Sequence, residues 1–230
     1  MNQEVWTAVD EYINGLLAPG DPVLDAALAS SAAANLPTIQ VSPAQGKMLQ
    51  LLARLVGARN ILELGTLGGY STIWMARALP PGGRVLTLEA DPQHADVAIA
   101  NFARAGLSGV IELRRGKALD TLPQLASEAR GPFDLIFIDA NKSDMAEYFE
   151  WAVKLSHPGS VIIADNVIRE GGVLDAASGD ANIQGVRRFN ERLAIDRRVS
   201  ATEIQTVGSK GYDGFALIVV LADTDPRHSK

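Results

Sequence analysis

A chain of 230 residues without a single cysteine excludes a disulfide framework, a thiolate zinc site and a cysteine nucleophile. Its formal charge of −6, from 21 Lys and Arg against 27 Asp and Glu, argues against a nucleic-acid partner, which requires clustered basic residues. There is no apolar run of about 18 residues that would cross a membrane, and the acidic N-terminus with Glu4, Asp10 and Glu11 is unlike a signal peptide. We therefore expect one cytoplasmic domain over residues 1–230.

The first 58 residues carry helical patterns. Two amphipathic stretches span residues 3–18 and 21–34. Residues 42–45, Ser-Pro-Ala-Gln, then have the signature of a helix start: a capping hydroxyl, a proline at the first helical position and a glutamine that completes a capping box. Apolar residues continue this helix over 48–56. We predict an N-terminal helical segment, residues 1–58, that packs on the rest of the domain.

Beyond Gly57 the pattern changes to short apolar strands that alternate with helical stretches. This alternation predicts an α/β fold with a Rossmann-like, doubly wound, mostly parallel sheet. The last two strands, near 200–207 and 215–221, are separated by only a short Gly-rich loop and must pair antiparallel, which gives a seven-stranded sheet closed by a C-terminal hairpin. The other predicted strands are 61–64, 85–88, 110–113, 135–138 and 161–164, and the predicted helices are 70–79, 92–105, 117–129, 143–156 and 182–195.

Two of these apolar strands end in an aspartate. The first runs into Asp139, with Lys142 close behind, and the second ends at Asp165, which Asn166 follows. Because the carboxyl ends of parallel strands lie along one edge of a sheet, we expect these side chains to converge. Taken singly, Asp139 could be any ligand-edge carboxylate, and Asp165 with Asn166 could form a turn or a helix cap. Together, their oxygens suit a hard divalent cation, Mg²⁺ before Mn²⁺ or Ca²⁺, and Lys142 could take the proton from a hydroxyl nearby.

The turn after the first strand, residues 63–71 (Glu-Leu-Gly-Thr-Leu-Gly-Gly-Tyr-Ser), is rich in glycine, which lets a ligand approach the backbone closely. Its glycine spacing departs from the G-x-G-x-x-G of dinucleotide enzymes. Glu63 would repel a pyrophosphate but suits a cofactor that carries an ammonium group. Glu89, at the end of the second strand, is placed to accept hydrogen bonds from ribose hydroxyls, a role that fits NAD equally.

Four motifs in this order, E-L-G-T-x-x-G-Y-S, L-E-A, F-I-D-A-x-K and A-D-N, resemble the cation-dependent class I O-methyltransferases. That family includes catechol and caffeoyl-CoA O-methyltransferases and small bacterial members. The resemblance extends from about Leu36 to the Gly-Tyr-Asp-Gly hairpin. It implies S-adenosylmethionine as the methyl donor, a divalent cation, a small aromatic acceptor with two adjacent hydroxyls, and a homodimer.

The resemblance also assigns roles to individual positions. Asp139, Asp165 and Asn166 match the metal ligands, and Lys142 matches the catalytic lysine beside the acceptor hydroxyl. Tyr212, in the hairpin, and Asn166 are assigned to the acceptor pocket. The positions that the resemblance implies for the cofactor are Glu63, Gly65, Thr66, Gly69, Ser71, Glu89, Gly116, Ala118 and Asp139.

Other positions receive smaller roles. Lys117 departs from the family, which has a smaller or less charged residue there, and Asn141 stands where many relatives have Asp, so we expect it beside the metal ligands rather than among them. Loop 167–173 is expected to move over the site, and residues 35–41 to cover the cofactor. No role is expected for the histidines, which are His94, His157 and His228.

Three other activities fit the sequence less well. An NAD-dependent oxidoreductase would need the G-x-G-x-x-G turn and would leave Asp165 and Asn166 unexplained. A non-catalytic S-adenosylmethionine-binding protein would be expected to have lost a metal ligand or Lys142. A methyltransferase acting on RNA or protein fits poorly with the acidic charge, and a metal site has no purpose in methylating a ring nitrogen.

Overall fold

The computed structural model describes residues 2–222 and contains one sheet of seven strands in that range. The strand order is β3-β2-β1-β4-β5-β7-β6. The first five strands are parallel, and β7 pairs antiparallel with both β5 and β6, which confirms the predicted fold class. The strands are β1 (Asn60–Leu64), β2 (Arg84–Glu89), β3 (Ile111–Arg115), β4 (Phe133–Ile138), β5 (Ser156–Asp165), β6 (Val199–Gly208) and β7 (Gly211–Val220).

Helices cover both faces of the sheet, which is why the central strands are apolar on both sides. Along β1, for example, Ile61 points into one buried cluster while Leu62 and Leu64 point into the other. Helices α2 to α5 pack on the face of Ile61, and α6 to α8 on the opposite face. The helices are α1 (Gln3–Leu17), α2 (Pro22–Ala33), α3 (Pro43–Leu55), α4 (Tyr70–Ala76), α5 (Pro92–Arg104), α6 (Ala118–Ser127), α7 (Met145–Lys154) and α8 (Ala181–Ile195).

Helix α3 begins where its sequence signature predicts. The Ser42 hydroxyl accepts a hydrogen bond from the Gln45 amide at 3.2 Å. The capping box, however, was wrong. The Gln45 side chain does not turn back to the helix start; its Nε2 donates to Asp165 Oδ2 at 2.8 Å, because the beginning of α3 lies against the end of β5.

Several predicted helices end slightly earlier than expected, and the sequence around two of them shows why. The stretch predicted over 143–156 consists of a 3-10 turn, Lys142–Asp144, followed by α7, and Ser156 already belongs to β5, where it pairs with Phe133. The stretch predicted over 70–79 ends at Ala76, ahead of two prolines and two glycines.

The strand order places the ligand-binding edge. The chain leaves β1 in one direction to β2 and returns on its other side as β4, so the crevice between β1 and β4 is a topological switch point. Ile138 pairs with Ala164, and therefore Asp139 and Asp165 follow side by side at the ends of β4 and β5. Among residues 2–222, no helix is both long and apolar enough to cross a membrane. His228 lies outside the described residues.

Candidate active site

Two adjoining clefts open at the carboxyl edge of the sheet. The first, of about 680 Å³, lies over the ends of β1, β2 and β4. The second, of about 830 Å³, lies between the start of α3, the segment after β5 and the β6–β7 hairpin. Ile39, Asn166 and Arg169 line both clefts, so the two meet just beyond the end of β5.

Glycines shape the turn between β1 and α4. Gly65 has φ +95°, and a Cβ there would lie 2.3 Å from the carbonyl oxygen of Asp139. Gly69 has φ +83°, and a Cβ there would collide with the ring of Phe102. Both positions therefore require glycine. Gly65 lines the first cleft. Gly69 does not line it; this glycine packs against Phe102 instead.

Glu63 lies below the first cleft and does not line it. Its carboxylate is fully buried and accepts hydrogen bonds from the hydroxyls of Ser71 (2.6 Å), Thr87 (2.7 Å) and Thr72. Burial raises the pKa of Glu63 to about 7 despite these three donors. Ser71 does line the cleft, so it stands between Glu63 and any ligand, and a direct contact from Glu63 to an ammonium group stays a prediction.

Glu89 lines the first cleft and holds its floor together. One carboxylate oxygen accepts from the backbone amides of Thr66 (3.1 Å) and Leu67 (2.8 Å), and the other accepts from Asp91 (2.9 Å). His94 lines the same cleft, with Nδ1 3.7 Å from Glu89 Oε1, and the expectation that it has no role stays a prediction. Its place in the first turn of the helix after Glu89 is the signal that could have found it.

Most positions assigned to the cofactor do line the first cleft. So do three residues of the segment predicted to cover it, Ile39, Gln40 and Val41. Lys117 lines the cleft as well, so its departure from the family pattern falls on the cleft wall. The assigned positions on the wall are Gly65, Thr66, Ser71, Glu89, Gly116, Ala118 and Asp139.

The predicted metal ligands and the lysine lie where the two clefts meet. Lys142 is 7% exposed, and its Nζ donates to Asp139 Oδ1 at 2.7 Å. Asp165 is also 7% exposed; it accepts from Gln45 and from the Asn166 amide, and burial together with the charge of Asp139 raises its pKa. Two crowded carboxylates beside one lysine are a net negative charge that a cation would balance.

The predicted metal ligands have the chemistry that a hard divalent cation prefers. It consists of two carboxylates and one amide, all oxygen donors, at the ends of adjacent strands. Between residues 2 and 222 no three His, Cys, Asp or Glu side chains are grouped to hold a metal, so the amide of Asn166 would have to complete the predicted set.

The turn that carries Lys142 is fixed from two sides. The Asn141 amide donates to Ser143 (2.9 Å) and Asp144 (2.7 Å), and its oxygen accepts from Tyr148. From the other side, α8 lies so close that a Cβ at Gly185 would be 2.1 Å from the Lys142 carbonyl oxygen.

Tyr148 and Gly185 were missed by the sequence analysis. Tyr148 lines the first cleft, and burial raises its pKa to about 12. Tyr148 lies in the first turn of α7, and its hydroxyl reaches back to Asn141 across the turn that leads into this helix. Gly185 carries no sequence signal, since it sits inside an ordinary amphipathic helix.

The second cleft is lined by the hairpin and by the segment after β5. Tyr212 lines it, and its hydroxyl donates to Gln205 on β6; its role in an acceptor pocket stays a prediction. The predicted mobile loop 167–173 is anchored, because Asp213 Oδ1 accepts from the backbone amides of Ile168 (2.9 Å) and Arg169 (3.0 Å). Movement of this loop remains a prediction.

Comparison with known proteins matches this chain to O-methyltransferases. The model of a family described as O-methyltransferase matches residues 19–219. A catechol O-methyltransferase of Niastella koreensis is 58% identical over 96% of this chain and 100% of its own.

Solved structures of O-methyltransferases are similar to nearly the whole chain. The O-methyltransferase from Bacillus cereus in complex with SAH has 59% identity and a TM-score of 0.94, covering 95% of this chain and 100% of its own. An O-methyltransferase from Streptomyces achromogenes involved in tomaymycin synthesis, in complex with SAM, has 51% identity and a TM-score of 0.93, covering 96% and 100%.

Proposed function

The chain belongs to the O-methyltransferase family, and on that premise we propose that it transfers a methyl group from S-adenosylmethionine to one hydroxyl of a vicinal dihydroxy aromatic molecule with the help of a divalent cation. The observation that carries this proposal is the grouping of the partly buried Asp139 with the buried Lys142 and Asp165 at the junction of two clefts. One cleft is then available for the donor and the other for the acceptor. The name of the Niastella koreensis relative supports a catechol-like acceptor.

The first cleft is assigned to the methyl donor. Glu89 retains acceptor capacity for the ribose hydroxyls beyond its three backbone contacts. Ser71 and Gly65 are placed for the methionine end, with Glu63 holding the Ser71 hydroxyl from below. The solved structures of relatives with bound SAH and SAM support this assignment.

The catalytic step requires an acceptor oxygen that is at or near its anionic form. A divalent cation held by Asp139, Asp165 and Asn166 would supply the Lewis acidity that lowers the pKa of the acceptor hydroxyl. Lys142 Nζ, oriented by its hydrogen bond to Asp139, can accept the hydroxyl proton or hold its positive charge against the resulting anion. The junction of the clefts brings donor and acceptor together in a fixed orientation, which itself accelerates the reaction.

Membership of this family removes the NAD-dependent and non-catalytic alternatives. A homodimer stays a proposal, and the apolar side chains of α1 support it. None of them is buried within the chain, and five are exposed, namely Val5, Val9, Tyr12, Leu16 and Leu17. A monomer mass in solution would contradict it.

Methyl transfer from labelled S-adenosylmethionine tests the proposal. Caffeic acid and 3,4-dihydroxybenzoate serve as acceptors, after chelation with EDTA and again with Mg²⁺ restored, and 3-hydroxybenzoate is the control with a single hydroxyl. We expect activity on both diols that disappears with EDTA, returns with Mg²⁺ and is absent with the control. Activity that is indifferent to EDTA would contradict the metal role, and activity on the control would contradict the requirement for two hydroxyls.

A further inference from the structure

Arg169 lines both clefts at their junction, and its side chain makes no hydrogen bond to any described residue. Its Nε is buried from solvent and has no partner within residues 2–222. The nearest carboxylate oxygen, Asp213 Oδ2, lies 3.9 Å from Nη1, a distance that allows an ion pair but is too long for a hydrogen bond. Because a buried N–H donor without an acceptor is costly, a guanidinium in this place indicates a ligand that supplies the acceptor.

The backbone fixes where this guanidinium lies. Arg169 and Glu170 have φ +55° and +56°, a conformation that residues other than glycine rarely adopt. Asp213 stabilises this backbone conformation by accepting hydrogen bonds from the backbone amides of Ile168 and Arg169. Backbone of this kind is typical of ligand-binding segments.

The wall of the second cleft carries four carboxylates and two cations, Arg169 and Lys210, so an anion would be bound locally by these two cations. Lys210 lies on its wall and donates to the Thr38 carbonyl at 2.8 Å, with no carboxylate within ion-pair distance in the described part of the chain. Asp213 already accepts backbone hydrogen bonds, and Asp10 accepts from the amide and hydroxyl of Ser209. Glu170, the remaining carboxylate of that wall away from the predicted metal ligands, is exposed to solvent.

We propose that Arg169 binds a carboxylate of the methyl acceptor, so that the preferred acceptors are vicinal dihydroxy aromatic acids. This rests on the proposed function and narrows its substrate class. A guanidinium presents two parallel N–H groups that match a carboxylate, which makes the contact both strong and directional.

The cofactor also carries a carboxylate, but the topology favours the acceptor. Arg169 follows β5, whereas the residues assigned to the methionine end belong to the turn after β1, and β4 lies between these two strands. Lys210 adds a second cation to the acceptor cleft and does not line the donor cleft.

The test compares 3,4-dihydroxybenzoate with its methyl ester, which has the same ring and hydroxyls but no charge. The value of kcat/KM is measured for both in the wild type, in Arg169→Gln and in the control Arg192→Gln, which removes an exposed arginine that pairs with Glu150. We expect Arg169→Gln to lower kcat/KM for the acid about 10- to 100-fold, mainly through KM, and to leave the ester and the control within about twofold. Activity on the ester also shows that the variant is folded.

An acid-to-ester ratio that Arg169→Gln leaves unchanged would overturn the proposal. So would weaker binding of S-adenosylhomocysteine with unchanged binding of 5′-methylthioadenosine, because that pattern would assign Arg169 to the cofactor carboxylate. If the wild type methylated neither the acid nor the ester, the proposed function itself would fail and this inference with it.

Discussion

The two clefts differ in how their charges are balanced. On the proposed function the first cleft is the donor cleft and the second is the acceptor cleft. At the donor cleft the protein itself supplies the partners of two glutamates: Glu63 accepts from three hydroxyls and Glu89 from three backbone amides. Where the donor cleft meets the acceptor cleft, Asp139 and Asp165 are crowded together at two strand ends, and Arg169 has a buried donor without a partner in the described chain. The donor cleft is thus organised by hydrogen bonds within the protein, whereas on the proposed function a cation and a substrate would complete the charges at its junction with the acceptor cleft.

This difference matches the two tasks. A donor that is the same in every turnover can be bound by a rigid set of dipoles, whereas on our proposal a few charges and a segment of unusual backbone select the acceptor. This difference would also explain why family membership identifies methyl transfer but not the acceptor, since specificity depends on side chains added to a shared sheet.

The largest effect is expected at the two aspartates where the donor cleft meets the acceptor cleft. Asp139→Asn or Asp165→Asn removes a negative oxygen ligand, and we expect metal-dependent turnover to fall about 100-fold or more, because the cation supplies several kcal/mol of charge stabilisation in the transition state. Asp165 does not line the donor cleft, so Asp165→Asn should bind S-adenosylhomocysteine as the wild type does. Both quantities are measured in one series, by initial rates and by calorimetry.

Asp96→Asn is the matched control, because this aspartate is 70% exposed and pairs only with Arg115. It should behave as the wild type in both assays. Full activity of Asp139→Asn and Asp165→Asn would remove the metal assignment and, with it, the contrast between the two clefts.

A smaller effect is expected at Gly65, where the two sides touch. An alanine there would need φ +95° and would place its Cβ 2.3 Å from the Asp139 carbonyl oxygen, so the β1 and β4 ends must separate. We expect Gly65→Ala to lower turnover about 10-fold and the free energy of unfolding by about 2 kcal/mol.

Gly15→Ala is the control for Gly65→Ala. Gly15 lies in α1 with nothing within 4 Å of an added Cβ, so alanine should be neutral or stabilise by about 0.5 kcal/mol. Urea titration and initial rates compare the two variants. Wild-type stability and turnover in Gly65→Ala would show that the two strand ends are less tightly coupled than this contact implies.

The sequence allowed the sheet and its functional edge to be predicted because strand alternation determines which residues reach that edge. Asp139 and Asp165 were placed correctly for this reason, and so was the glycine turn. Contacts between elements distant in the chain could not be predicted. The Gln45 side-chain amide donates its hydrogen bond to Asp165 rather than to its own helix. Glycine is required at position 185 only because α8 crosses the turn that carries Lys142.

The smallest effect on turnover is expected at Glu63, whose consequence is a pH-dependent stability. In the folded protein burial raises its pKa to about 7, from an ordinary value of 4.5. Between these two pH values the folded state holds a proton that the unfolded chain releases. The contribution of Glu63 to the free energy of unfolding is therefore largest below pH 4.5 and falls as the pH rises to about 7. The expected decrease is about 3 kcal/mol, and Glu63→Gln should not show it.

Urea unfolding between pH 4.5 and 8 checks this expectation, with Glu191→Gln, a 71% exposed carboxylate on α8, as the control. Asp165 also has a raised pKa and adds a slope of the same sign, so the informative quantity is the difference between wild type and variant. The three hydroxyls around Glu63 can turn to accept from an amide, and therefore Glu63→Gln should fold and bind S-adenosylhomocysteine within about threefold of the wild type. A much larger loss of affinity would mean that the carboxylate contacts the cofactor itself, and that the donor cleft also depends on its ligand to balance a buried charge.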